Sequence, residues 1–261
     1  MRDSEPRVAG LASRLFSIWY RHMRVYTRNL ISNGLPPFLE PVIFLLGVGL
    51  GLGRYIASMD GVPYLVFLAT ALPVTSAMFT SAYECTFGTF VRLEFQKSYD
   101  GMIAAPVTVA DLFVGEVLWA GTKGLFFSAC VVIVMAAFGA LPLPMGVVAV
   151  PIGFLTGAMF GALSLLVTSF VKNINHFNFY FTGFLSPMFF FSGTVFPLNS
   201  LPRAIRPLAE LMPLTHAIRL TRDPTLARFS GVLLADLAFL VLVTIVAAHL
   251  AIRRLRRRIV V

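Results

Sequence analysis

The sequence predicts an all-α polytopic membrane protein with six transmembrane helices. Of its 261 residues, 57% are hydrophobic and only 13% are charged, whereas a soluble domain of this size carries about 25% charged residues. Several largely uncharged apolar runs reach the ~18 residues needed to cross a hydrocarbon core about 30 Å thick. Ten-residue segments of alternating hydrophobicity, which mark a membrane β-barrel, are not visible. We therefore interpret residues 1–261 as one transmembrane domain.

Charge and cysteine content exclude several other classes of protein. The net charge of +9 sits mostly at the two tails, which indicates membrane topology and contact with an anionic lipid bilayer, and we expect no nucleic-acid partner. Cys85 and Cys130 both fall in apolar runs, where they provide neither a disulfide framework nor metal-ligand spacing. Residues 1–30 contain many arginines and no clean apolar region, so we expect no cleavable signal.

Residues 1–30 include an amphipathic helix that we expect to lie in the membrane interface. At 100° per residue, four arginines fall within a sector of roughly 80°, and apolar and aromatic residues fall on another side. The arginines are Arg14, Arg21, Arg24 and Arg28, and the other side carries Leu11, Leu15, Trp19, Tyr26 and Leu30. Such a helix places aromatic rings at headgroup depth. It either only anchors the N-terminus or also contacts a cytoplasmic partner.

Six spans follow from the hydropathy pattern. They cover about residues 35–53, 63–90, 112–140, 145–171, 177–196 and 231–252. In the fourth span, Gly153, Gly157 and Gly161 recur at a strict four-residue spacing, which predicts a face for close helix packing.

Three ionisable residues lie within or near the membrane: Glu84, Glu116 and Lys123. A charge at this depth is costly and is normally paired or faces water. Glu116 precedes Lys123 by seven residues on the same helical face, and Glu84 lies at a similar level on the neighbouring span. Two interpretations stay open, a structural ion pair or snorkelling lysine, and a role in a polar pathway.

The fifth predicted span, FNFYFTGFLSPMFFFSGTVF, is crowded with phenylalanine and interrupted by Pro187. Its aromatic residues either pack or line a route for a bulky amphipathic substrate.

Residues 197–228 follow. Prolines there separate short apolar segments, none of which is long enough to cross the membrane. They suit a helical hairpin that enters the membrane and turns back, because irregular backbone at that depth must be buried in protein or face a cavity.

A short charged island, residues 90–116, separates the second and third spans. Most Lys and Arg residues fall on the side of the two tails and this island, which predicts that both termini lie in the cytoplasm. The arginines of the hairpin are an exception.

The sequence contains no G-x-x-x-x-G-K-[ST], H-E-x-x-H or G-x-S-x-G motif and no Cys/His cluster. We therefore expect no enzyme and no metal or cofactor in this chain, so active transport needs a partner subunit or an ion gradient.

Several segments together resemble the type-2 ABC exporter permeases, most closely those of lipo-oligosaccharide exporters. They are the basic N-terminus, the six spans, EFQKSYDGMIAAPVTVADLFVGE, SPMFFFSGTVFPLNSLP and LMPLTHAIRLTR. The resemblance implies a homodimer that works with two separate ABC ATPase subunits, which bind ATP and Mg. It implies export of an amphipathic or glycan-type substrate: a lipo-oligosaccharide, polysaccharide, glycolipid or drug.

The resemblance also assigns roles to residues. It places a cytoplasmic coupling helix at residues 92–106, an extracytoplasmic re-entrant hairpin at residues 197–228, and a substrate route between the two permease copies. The coupling residues are Glu94, Phe95, Lys97, Tyr99, Asp100, Gly101 and Met102. The candidate gate residues are Phe189, Phe190, Phe191 and Phe196. On a helix, Phe95, Tyr99 and Met102 would form an apolar plug. Charge pairing by Glu94, Lys97 and Asp100 would set its register.

Three other functions remain open at this stage. An ion-coupled secondary transporter would use Glu40, Glu84, Glu116 and Lys123, but it predicts inverted repeats, and the breaks of spans one and five do not mirror each other. An intramembrane enzyme would need a clustered acid, base or metal site. A non-transporting assembly subunit is the third. Dependence of transport on a separate ATPase separates the permease from all three.

Overall fold

The computed structural model describes residues 10–53, 55–103 and 107–259, except the side chains of Leu50, Asp100 and Ile259. The predicted coupling residue Asp100 is therefore described only by its backbone, and residues 104–106 of the predicted coupling helix lie outside the described ranges. The described chain is nearly all α-helical, as the sequence predicts.

Within the described ranges, five helices are long and apolar enough to cross a membrane. They are the first span Leu30–Gly53, the second span Tyr64–Phe95, the third span Val109–Ala137, the fourth span Met145–Phe170 and the last span Val232–Arg258. Each overlaps the corresponding predicted span, with ends that differ by a few residues. The N-terminal helix, Leu11–Arg28, precedes them.

The fifth predicted span is shorter than the sequence indicates. A helix covers residues 177–191 and ends at Phe191, whereas we expected it to reach residue 196. At 1.5 Å per residue this aromatic helix is about 22 Å long, which is less than a hydrocarbon core of about 30 Å. Gly193 follows with a φ of +85°, a left-handed conformation that glycine adopts without steric cost. The chain turns there and leaves the helix axis.

Short elements connect these helices. Strands Ser58–Met59 and Val62–Pro63 pair in antiparallel register after the first span. The connecting helix, Ser98–Ile103, lies between the second and third spans, and a 3₁₀ turn, Ile174–His176, precedes the aromatic helix. The proline-rich segment, residues 197–228, contains the 3₁₀ turn Leu198–Ser200 and the helices Arg206–Glu210 and Pro213–Thr225.

The third and fourth spans approach each other closely, and the second span packs against both. A Cβ on Gly124 would lie 2.5 Å from the carbonyl oxygen of Gly153, and a Cβ on Gly157 would lie 2.7 Å from the carbonyl oxygen of Ala120. A Cβ on Gly161 would lie 2.5 Å from that of Ala120. The predicted packing face of the fourth span is therefore confirmed, and only glycine allows this distance between the two backbones.

We expect Gly124→Ala to destabilise the protein by about 1–3 kcal/mol, because its methyl group would overlap backbone atoms that cannot rotate away. Thermal unfolding of the purified chain in lipid nanodiscs measures the effect. Gly183→Ala is the matched control, because nothing lies within 4 Å of a Cβ there. Equal unfolding temperatures for the two variants would contradict the importance of this contact.

Candidate functional site, a buried ion network

Arg92 lies between two carboxylates from different spans. Its Nη1 is 2.7 Å from Oε1 of Glu84, and its Nη2 is 2.8 Å from Oε2 of Glu116. Glu84 and Arg92 belong to the second span, whereas Glu116 belongs to the third and is completely buried. A guanidinium carries five N–H donors along the edges of its plane, so one arginine can pair with both acids at once.

Two further side chains extend the network at its ends. Lys123 Nζ donates to Oε2 of Glu84 at 2.9 Å, so the ion pair that was one of the two interpretations of this lysine is present. At the other end, Nε2 of His22 lies 3.1 Å from Oε1 of Glu116. The ion network thus runs His22, Glu116, Arg92, Glu84, Lys123, and it joins the N-terminal helix to the second and third spans.

Tyr99 attaches the connecting helix to this network. Its side chain is completely buried, its hydroxyl donates to Oε1 of Glu116 at 2.6 Å, and Nε of Arg92 donates to the same hydroxyl at 3.2 Å. Burial and the adjacent Glu116 carboxylate raise the pKa of Tyr99 well above its usual value. The phenol therefore keeps its proton and remains a donor to the carboxylate.

The local backbone of the second span creates the room that the network needs. Two π-helical turns, Glu84–Gly88 and Val91–Phe95, interrupt its α-helix around the ionic side chains. Gly88 ends the first of these turns, and a Cβ there would stand 3.4 Å from both Arg92 Nη1 and Glu84 Oε1. Single π turns inside α-helices are frequent at functional sites. At the end of the span, Lys97 has a φ of +51°, and the chain turns there into the connecting helix.

The N-terminal helix packs on the third span. Ile18 fills the space above Gly115, where a Cβ would lie 2.5 Å from its Cγ2, and Trp19 Nε1 donates to Thr122 Oγ1 at 2.9 Å. His22 stacks on a third-span ring, that of Trp119. The helix therefore contacts protein along one stripe.

The residues on the predicted apolar side of this helix differ in their contact with the protein. Leu15, Trp19 and Tyr26 are partly buried, whereas Leu11 and Leu30 are more than half exposed. The buried stripe centres instead on Ile18 and His22, four residues apart.

The predicted coupling residues separate into exposed and buried groups. Phe95 is 66% exposed, and Lys97 and Gly101 are also exposed. Met102 is partly buried against the core cluster that contains Tyr99. The prediction that Phe95, Tyr99 and Met102 together form an exposed apolar plug was therefore wrong for Tyr99, whose hydroxyl is used inside the protein.

Glu94 is also engaged within the chain. Its Oε1 accepts from Nη2 of Arg258 at 2.8 Å, and Nη1 of the same arginine donates to the carbonyl oxygens of Thr168 and Val171. Arg258 thereby connects the last span, the end of the fourth span and the end of the second. A cation at the C-terminus of the fourth span also suits the helix dipole.

Two of the four predicted gate residues border a cavity. Phe189 and Phe190 line an apolar cavity of about 200 Å³ between the first, second and third spans and the aromatic helix, together with Glu40, Phe44 and other residues. Phe189 also contacts the rings of Phe44 and Phe79. Phe191 and Phe196 contact each other and do not border this cavity.

Sequence reasoning missed two members of the ion network, His22 and Arg92. The signal for His22 was present, since it follows Ile18 by one helical turn and faces the same side. Arg92 was considered only as a charge that determines topology.

Ligand atoms of His22, Glu84 and Glu116 lie within 4.8 Å of one another. However, Arg92 and Lys123 already neutralise both carboxylates, so this geometry favours an ion-pair network over a bound metal ion.

The fold and the site together define a class of protein. The chain is a multi-pass helical membrane protein in which a buried ion network joins a short connecting helix to two spans. The model of the ABC-2 type transporter family matches residues 13–226. The chain therefore belongs to the ABC-2 type transporter family. Members of this family are transport subunits, and the family implies an ABC ATPase as a partner.

Relatives extend over most of the chain. It is 33% identical over 243 residues to nodulation protein J of Sinorhizobium fredii, an alignment that covers 93% of each chain. It is 34% identical over 206 residues to nodulation protein J of Rhizobium meliloti, covering 79% of each chain. The inner membrane transport permease YadH of Escherichia coli is 25% identical over 204 residues, covering 78% of this chain and 79% of its own length. The resemblance noted from the sequence is thus confirmed.

We expect Glu116→Ala to destabilise the protein by about 3–5 kcal/mol, because it leaves the Arg92 guanidinium buried with half of its compensating charge removed. Thermal unfolding in nanodiscs measures the change. Glu210→Ala is the matched control, because Glu210 also pairs with an arginine but is half exposed, and an exposed pair contributes about 0–1 kcal/mol. Equal effects of the two substitutions would show that the ion network contributes little to stability.

Proposed function

We propose that this chain is the membrane-spanning permease subunit of an ATP-driven exporter. It moves an amphipathic or glycan-type substrate, such as a lipo-oligosaccharide, polysaccharide, glycolipid or drug, out of the cytoplasm. Membership of the ABC-2 type transporter family supports the permease role. The observation that carries the coupling mechanism is the attachment of the connecting helix, through Tyr99, to charged residues of two spans.

In this mechanism, ATP-driven movement of a partner subunit pushes on the connecting helix. The push reaches Glu116 on the third span and Arg92 on the second through the Tyr99 hydroxyl. Since Glu116 and Arg92 are themselves paired at 2.8 Å, the two spans respond together. Buried charge pairs resist separation because each partner alone would be uncompensated, so they transmit displacement with little loss.

The contact with the ATPase uses the exposed end of the second span. The Phe95 ring is accessible, and Lys97 and Gly101 lie nearby in sequence and are also exposed. An exposed aromatic ring beside a charged residue is a typical anchor for a groove on a partner. We propose two ATPase subunits for two permease copies, with ATP and Mg bound by the ATPases and no cofactor in this chain.

We propose a topology of six spans with both termini in the cytoplasm. The aromatic helix, residues 177–191, is the fifth span, and the proline-rich segment, residues 197–228, forms a re-entrant extracytoplasmic hairpin. The short aromatic helix supports this, because a chain that leaves the helix at Gly193 must complete its passage in another form. The relative named an inner membrane transport permease supports the bacterial inner membrane as the location.

The substrate route lies between the two permease copies, beside the apolar cavity of about 200 Å³. Phe189 and Phe190 give this cavity an aromatic wall, and Glu40 and Ser76 add polar groups. Such a mixture of surfaces suits a substrate that has both apolar and polar parts.

Tyr99→Phe tests the coupling path, because it removes one hydroxyl and keeps the ring. We expect the purified exporter to hydrolyse ATP but to move fivefold to tenfold less substrate per ATP, on the order of the 1–2 kcal/mol typical of coupling between sites. Tyr83→Phe is the matched control, since Tyr83 is more than half exposed and its hydroxyl bonds to no described residue. Unchanged coupling in Tyr99→Phe would exclude this path.

Phe95→Glu tests the partner contact. We expect a tagged chain carrying this change to lose the ABC ATPase that co-purifies with the unaltered chain in mild detergent, because a charge replaces the exposed ring. Phe138→Glu, at the opposite end of the third span and 51% exposed, should keep the ATPase. Recovery of the unaltered chain without any ATPase, across several detergents, would favour an ion-coupled transporter instead.

A further inference from the structure

A second cavity, polar and of about 240 Å³, lies away from the ion network. It is bordered by the start of the second span, the turn at Ser192 and Gly193, and the helix Pro213–Thr225. This polar cavity is separate from the apolar cavity, and it plays no part in the proposed coupling path. Its lining contains an unusual charged residue, Arg222, that no role described above explains.

Arg222 is buried, with 7% of its surface exposed. Its Nε donates to Thr70 Oγ1 at 3.0 Å, its Nη2 donates to the carbonyl oxygen of Phe67 at 3.1 Å, and its guanidinium lies 3.7 Å above the Phe67 ring. Nη1 makes no hydrogen bond to any described residue and lies 3.6 Å from the position of a Cβ on Gly193, a residue of the cavity lining. Arg222 forms no ion pair with a described residue, so its Nη1 is a donor that is open to a ligand in the cavity.

Most other charges in the cavity lining already have partners. Asp60 pairs with Arg228 at 2.7 Å, and Glu210 pairs with Arg219. Nε of Arg219 also lies 3.2 Å from Oδ2 of Asp236, which His216 contacts in turn. These charges of the lining are therefore engaged within the protein.

Asp223, also in the lining, is the counterpart of Arg222. It is partly buried, and its carboxylate forms no ion pair or hydrogen bond with the side chains of the described residues. The cavity therefore offers one free cationic donor, from Arg222, and one free anionic acceptor, from Asp223.

This combination selects a chemical class of ligand. An anion that satisfied Arg222 would also meet the carboxylate of Asp223, and a cation that satisfied Asp223 would meet the guanidinium. A hydroxyl group donates and accepts, so neighbouring hydroxyls satisfy both residues without adding a charge. We propose that this cavity binds a neutral, hydroxyl-rich group, the chemistry of a sugar unit. The argument for a sugar-binding site does not depend on the proposed export function. The further step, that this sugar is part of the exported molecule, rests on that proposed function.

The test uses the full chain in lipid nanodiscs with the disaccharide cellobiose as the probe, followed by saturation-transfer NMR. We expect cellobiose to bind the unaltered chain at least about fivefold more tightly than Arg222→Gln or Asp223→Asn, the effect of one lost hydrogen bond to a charged group. Arg203→Gln is the matched control, because Arg203 is exposed and lies outside the cavity lining. It should bind as the unaltered chain does.

Asp223→Asn keeps the test decisive if Arg222→Gln does not fold, since Asp223 has no side-chain partner to lose. The proposal is overturned if the unaltered chain does not bind cellobiose, or if both cavity variants bind it as well as Arg203→Gln does. It is also overturned if inorganic phosphate displaces cellobiose from the unaltered chain, because the site would then recognise anions. No ATPase is present in this assay, so its result is independent of the partner purification that tests the exporter function.

Discussion

The position of one guanidinium, that of Arg92, constrains much of this structure. Two acids from adjacent spans would repel each other in a medium of low dielectric, where unpaired charges interact strongly. With Arg92 between them, Glu84 and Glu116 instead become the means by which the second and third spans are held together. Lys123 pairs with Glu84 at one end of the network, and Nε2 of His22 lies against Glu116 at the other. The second and third spans and the N-terminal helix that packs on them therefore form one body.

The connecting helix is fixed to that body from two directions. Tyr99 fastens it from inside, and Arg258 fastens the preceding turn by pairing with Glu94 while also capping the fourth span. A force applied at the accessible Phe95 ring thus meets a structure supported on both sides. The proposed coupling depends on this rigidity, because a flexible loop would absorb the displacement that it should transmit.

Hydropathy predicted five spans with small errors at their ends, since length and apolarity depend only on local sequence. Glycine spacing predicted the packing face of the fourth span for the same reason.

The ion network was harder to predict from the sequence. A regular α-helix would place Glu84 and Arg92 about 80° apart, whereas two π turns change their relative orientation. The burial of Tyr99 depends on the turn at Lys97, and no local pattern indicates that its ring points inward. Apolar residues follow the aromatic helix, so the sequence pattern did not show that the helix ends at Phe191.

That early end also places two different environments side by side. Phe190 borders the apolar cavity, while Ser192, two residues later, borders the polar cavity that contains Arg222. A helix that continued to Phe196 would carry the aromatic surface onward and would remove the turn at Gly193 that leaves space near the Arg222 guanidinium. The break therefore creates a change from aromatic to polar lining within a few residues. An amphipathic molecule fits such a change of lining, because an apolar surface stabilises its apolar part and a polar surface stabilises its hydroxyl-bearing part.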